Sequence, residues 1–185
     1  MFRIILFFAL SLSLLACDDT NLYIENNNEA AEFEADCAAI IAYNPNDYTV
    51  KRAFDIPVAK ANNQVITVGE MKLLDNALHQ FLAMQMFKDR EWFEIASKIY
   101  PEEHFKISDF MIDITTYRRQ YMLVTNKKGE RVVWCNFFCD GIPAYENFDW
   151  KHKALGGHGG GNCFFNFKVN LFTGVYYDVW VNAEA

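Results

Sequence analysis

The clearest periodicity in the chain begins at Thr67. Met71, Leu74, Leu78, Phe81 and Leu82 recur at three- and four-residue intervals, which places them on one face of a helix. Thr67-Val68-Gly69-Glu70 has the form of a capping box, in which threonine and glutamate satisfy each other's backbone N–H groups. The pattern predicts a long helix running to about Phe87. A second, shorter helix follows, with Trp92, Ile95, Ala96 and Ile99 in register and Pro101 as its stop. Core packing is the expected use of both stripes. Upstream, Asn26-Asn27-Asn28 can cap a helix over Glu29–Ala42 that aligns Ala30, Phe33, Cys37, Ile40 and Ile41. Asn44-Pro45-Asn46 ends it. Tyr48–Val68 is broken by Pro57 and Asn62-Asn63 into short pieces, with room for one strand.

After Phe105 the period changes from helical to alternating. Phe110, Ile112 and Ile114 alternate with Met111, Asp113 and Thr115, and Tyr117–Val124 continues as strand. Asn126–Gly129 supplies a turn and Val132–Phe138 returns antiparallel. The last hairpin sets its own register. Phe165, Phe167, Val169 and Leu171 share one face with Cys163, and Phe164, Asn166, Lys168 and Asn170 share the other. A two-residue turn at Thr173-Gly174 would oppose Val169 to Asp178 on the buried side. A three-residue loop, Phe172-Thr173-Gly174, instead pairs Leu171 with Val175, Val169 with Tyr177, Phe167 with Val179 and Phe165 with Val181. It also sets Lys168 against Asp178 on the outer face. A one-residue slip would turn the apolar set to water, so the longer loop is expected.

Helices first and strands afterwards predict an α+β fold, with N-terminal helices packed on one face of a roughly four-stranded antiparallel sheet. This order is similar to cystatin-like and NTF2-like folds at the level of architecture. No motif is shared, so no family residue is carried over.

Composition adds that the chain can fold and narrows its partners. Of 185 residues, 52% are hydrophobic and 22% charged, enough for a packed core. The net charge of -7 repels phosphate backbones and argues against nucleic acid. The N-terminus changes the picture more. Arg3 precedes the apolar run Ile4–Leu15, which is too short for a comfortable membrane span, and Ala16 precedes Cys17. Leu14-Leu15-Ala16-Cys17 resembles a lipobox, the processing site of bacterial lipoproteins. The resemblance implies cleavage of a signal peptide over 1–16, a diacylglycerol on the thiol of Cys17, and acylation of the new amine. Two or more acyl chains suffice for stable attachment where one does not. Residues 17–28 then form the lipidated cysteine and a tether, and 29–185 a single α+β domain. Asp18 and Asp19 resemble an inner-membrane retention signal in some lineages and a surface-export tag in others, so the leaflet stays open.

Four further cysteines, Cys37, Cys135, Cys139 and Cys163, meet an oxidising space if the chain is exported. Three full connectivities exist. Cys139–Cys163 is the candidate disulfide, because it would staple the long connection 140–162. A rival is a zinc site from Cys135, Cys139, His158 and Cys163. It is weakened by strand geometry, which sets Cys135 and Cys139 roughly 13 Å apart. Gly156-Gly157-His158-Gly159-Gly160-Gly161 is neither a P-loop nor a dinucleotide fingerprint, since no Lys-Ser/Thr and no helix follows. It resembles the His-Gly-Gly-Gly segment of esterases, but the mature chain lacks a Gly-x-Ser-x-Gly elbow. A flexible loop is the expected role. Cys163 with His158 is a conceivable nucleophile–base pair, disfavoured because Cys163 heads an apolar strand face.

Aromatic residues among amides are the remaining signal. Phe164, Tyr176 and Trp180, with Asn166, Asn170 and Asn182, are expected on the outer face of the last hairpin, where Trp150, Tyr145 and Phe148 from the long loop can join them. Either they form a ligand-binding surface, or the loop covers this face as a second small core. The expectation is a non-enzymatic lipoprotein of the cell envelope, with no cofactor, that binds an envelope protein, an inhibitor-like mode included. A glycan-binding module using Trp150, Phe164, Tyr176 and Trp180 is the alternative. A Cys/His enzyme is the third.

Overall fold

The computed structural model describes residues 37–54, 60–61, 65–157 and 159–182. The expected signal peptide, Cys17, the tether and His158 lie outside the described residues. Among the described residues two α-helices and six strands follow in order, besides short 3-10 turns: β1 (Ala38–Ile40), α1 (Tyr48–Ala53), β2 (Lys60–Ala61), α2 (Val68–Ile99), β3 (Tyr117–Thr125), β4 (Arg131–Cys139), β5 (Phe164–Asn170) and β6 (Tyr176–Val181). The fold is α+β. Strands β3 to β6 form an antiparallel meander, and β1 makes the sheet mixed by pairing parallel to β3. The two-residue β2 pairs antiparallel with the same edge of β3, at Val124 and Thr125.

Helix α2 begins where the sequence places it. Thr67 Oγ1 accepts from the Glu70 N–H and a Glu70 carboxylate oxygen accepts from the Thr67 N–H. The same carboxylate takes both Nε and Nη2 of Arg131 at 2.8 and 2.9 Å, which fastens the start of α2 to the start of β4. The two helices expected over Thr67–Pro101 are one helix of 32 residues, about 48 Å long. Lys88-Asp89-Arg90-Glu91 contains no glycine or proline, so nothing breaks the hydrogen-bond ladder between the two stripes. Among the described residues no helix is long and apolar enough to cross a membrane.

The helix expected over Glu29–Ala42 is corrected in its described part. Ala38–Ile40 is strand, because the run Ala38–Ile41 feeds both faces of the sheet in alternation: Ile40 packs under α2 and Ile41 on the opposite side. A continuous apolar run does not distinguish strand from helix by period. The expected strand through Phe110, Ile112 and Ile114 is instead a series of 3-10 turns. Asp109 and Asp113 accept backbone N–H groups there, from Lys106 and Thr115, and the side chains compete with a ladder.

The main core lies between α2 and one sheet face. Met71, Leu74, Leu78 and Phe81 meet Tyr121, Leu123, Val133, Phe137, Phe165 and Phe167. Phe165 is stacked between Phe137 and Phe81, with ring centroids 4.6 and 4.9 Å away, each pair adding about 1 kcal/mol beyond burial. The distal half of α2 runs past this core. Trp92, Ile95 and Ile99 are exposed, so the second expected core stripe largely faces solvent, as do Met84 and Phe87.

The last hairpin follows the expected register at one end only. Phe165 pairs with Val181 and Lys168 forms its ion pair with Asp178, but Val169 pairs with Tyr176 rather than Tyr177. Asn170 Oδ1 accepts from the N–H of Phe172 and Thr173, which draws Leu171 into a longer loop closed by Gly174 at φ +69°. A bulge between Asn166 and Lys168, opposite Asp178 at φ +55°, then restores the register.

Candidate functional site

The second sheet face carries the site. Its alternate positions point away from α2: Gln120, Met122 and Val124 on β3, Val132, Trp134, Asn136 and Phe138 on β4, and Phe164, Asn166 and Lys168 on β5. Two small cores cover most of them. Ile41 and Val50 pack on Met122, Val124 and Trp134, and Trp150 and Leu155 pack on Phe138 and Phe164. The long connection therefore lies over this face as a second core, one of the two outcomes its aromatic content allowed.

Two buried amides pin that connection down. Gln120 Nε2 donates to the carbonyls of Trp150 and Lys153, and its Oε1 accepts from the N–H of Leu155 and from Asn136 Nδ2. Asn136 Nδ2 also donates to the Leu155 carbonyl at 2.9 Å. Irregular backbone can lie on a sheet only when its polar groups are paired, and this clasp pairs four of them. A disulfide between Cys139 and Cys163 joins the two ends of the connection.

The glycine run then has a different role from a flexible loop. A β-carbon on Gly156 would come 2.6 Å from Thr49 Oγ1, and one on Gly157 would come 2.8 Å from the Phe164 ring. Glycine is required there because α1 and β5 approach the backbone from both sides. Asn182 Nδ2 holds the carbonyls of Gly157 and Gly159, each at 2.9 Å, while its Oδ1 accepts from Trp180 Nε1.

Over the meeting of the two small cores, a cleft of about 550 Å³ opens between α1, the glycine segment and the β5–β6 hairpin. Its floor is Trp134, Asn136 and Phe164, and its rim includes Tyr48, Arg52, Asn166 and Trp180. Trp180 is 55% exposed. The Arg52 guanidinium lies 5.8 Å from the Trp180 ring centroid and 5.9 Å from that of Tyr48. Helix α1 presents both residues because Asp47 Oδ1 caps it, accepting from the N–H of Thr49 and Val50. Asp178 also lines the cleft but is paired with Lys168.

The four aromatic residues expected to form one ligand surface do not stay together. Trp180 and Phe164 line the cleft, although Phe164 is buried. Trp150 is sunk in the second core, edge-on to Phe138 and under the Arg118 guanidinium. Tyr176 turns to the α2 side, against Phe167, because the bulge shifts its register. Tyr48 and Arg52 are the residues that sequence reading missed. Asp47, a capping residue before a short amphipathic stretch, was the available signal.

The zinc set does not assemble. Cys139 and Cys163 are oxidised, and Cys135 is a buried thiol on the α2 side. Among the described residues no group of three or more His, Cys, Asp or Glu is placed to hold a metal ion. Cys163, bound to Cys139, is not a thiolate nucleophile, and burial pushes the Cys135 thiol well above its ordinary pKa. No family model, no curated protein and no solved structure matches this chain.

Proposed function

We propose that this chain is a lipid-anchored cell-envelope protein that binds a glycan in the cleft beneath α1, without transforming it. The single observation that carries the ligand class is the cleft wall: Tyr48 and Trp180 flank it, and Asn166 offers its amide N–H groups beside them. Sugar rings bind by presenting C–H faces to aromatic rings and hydroxyls to planar polar groups. Its volume, about 550 Å³, lies within the usual range for small-molecule sites, roughly 300–1,000 Å³.

The anchor rests on Leu14-Leu15-Ala16-Cys17 and its leader. The architecture is read as cystatin-like or NTF2-like, supported by one long helix laid on a four-strand meander. A protein partner is the second reading, favoured by the exposed Met84, Phe87, Trp92 and Ile99 on the distal half of α2.

Two measurements test the proposal. Mass spectrometry of the mature protein should find Cys17 as the N-terminal residue, carrying a thioether-linked diacylglycerol. A retained leader, a bare thiol, or Cys17 in a disulfide with Cys37 refutes the anchor. Titration calorimetry with a panel of envelope-type oligosaccharides should give saturable heat that Trp180→Ala abolishes. Absence of heat across the panel refutes the glycan and leaves the α2 surface as the site.

A further inference from the structure

We propose that the cleft selects saccharides that carry a carboxylate, with Arg52 as the group that recognises the anion; this rests on the glycan reading above. The charges around the cleft support it. Asp178 and Lys168 neutralise each other across the hairpin, and Lys168 is itself buried. Arg52 has no ion-pair partner among the described residues. Among the described residues lining the cleft, Arg52 is thus the charge left unbalanced, on a chain whose net charge is -7. A neutral ligand gains only hydrogen bonds from this guanidinium, whereas a carboxylate gains those bonds and the charge attraction together.

The geometry adds direction to the charge. Tyr48 and Trp180 hold the guanidinium near their rings, at 5.9 and 5.8 Å, which limits its rotamers before any ligand arrives. A planar guanidinium matches a carboxylate through two parallel N–H···O bonds, a fit that an ammonium lacks. Asn166 accepts from Trp134 Nε1 through its Oδ1, so its Nδ2 donors are turned to other use at the cleft rim. A uronic acid unit would set its carboxylate on Arg52, a ring face against Trp180 and a hydroxyl on Asn166.

The test uses the full-length protein in detergent and two matched probes, a hexasaccharide of alternating glucuronate and N-acetylglucosamine and a neutral hexamer of N-acetylglucosamine. Calorimetry should show the acidic probe binding at least tenfold tighter, with that preference shrinking as salt is raised. Arg52→Gln should bring the two probes to equal affinity. Arg52→Lys should keep part of the preference, and Trp180→Ala should weaken both probes. A urea midpoint for each variant at the wild-type value shows that the fold is intact. Equal affinities in the wild type, or an Arg52→Gln protein that keeps the preference, overturns this inference and leaves the glycan reading standing. No binding of either probe overturns both.

Discussion

Gln120→Leu is the substitution that should cost this fold most for its size. Leucine fills nearly the same volume, so no cavity term enters. What disappears is the clasp. The Leu155 N–H and the Trp150 carbonyl lose their partner in a fully buried site, whereas the carbonyl of Lys153 is half-buried and can turn to water. Asn136 Nδ2 keeps its bond to the Leu155 carbonyl. Two buried groups left unpaired cost about 1–3 kcal/mol each, and the added apolar burial returns part of that, so the net loss should be about 3 kcal/mol. With a urea slope of about 2 kcal/mol per molar for a chain of this size, the midpoint should fall by about 1.5 M. Urea unfolding followed by far-UV circular dichroism measures this directly. Gln80→Leu, on the exposed face of α2, is the control and should shift the midpoint by less than about 0.5 kcal/mol equivalent. If Gln120→Leu shifts it no further than Gln80→Leu, the amide clasp does not hold the connection to the sheet.

Replacing both Cys139 and Cys163 by serine should lower stability by about 3 kcal/mol on loop-closure grounds, given their separation of 24 residues, read as the same urea midpoint under oxidising conditions. Gly157→Ala should cost about 1–3 kcal/mol, since the buried Phe164 ring has no room to withdraw, and calorimetry should show weaker ligand binding in the same variant. Asp89 is buried on α2 and accepts from Gln85 Nε2 at 2.8 Å; burial raises its carboxyl pKa, more than that bond and Lys88 lower it. Ionisation is then easier in the unfolded chain, so Asp89 subtracts stability as pH rises through its titration. Asp89→Asn should therefore raise the urea midpoint at pH 7, and the gain should vanish in acid, where Asp89 is protonated in both states; an equal gain at both pH values would refute this.

Local chemistry was legible in the residues themselves. The start of α2 is written in Thr67 and Glu70 because a capping box satisfies its own N–H groups within four residues. The meander β3–β4 is written in two alternating runs around Asn126–Gly129, and the Lys168–Asp178 pair follows from alternation across one hairpin. What distant segments do to each other was not legible. Ala38–Ile40 becomes a strand because β3 offers it a free edge, and the strand expected through Phe110 is lost to aspartate-capped turns. One residue taken up by the Asn170 loop sends Tyr176 to the far side of the sheet. The cleft needs α1, the glycine segment and the final hairpin, brought together from positions 48 to 182. Spacing along a chain records hydrogen bonds made within a few residues; which side chains share a cavity is decided by packing, and packing depends on every element at once.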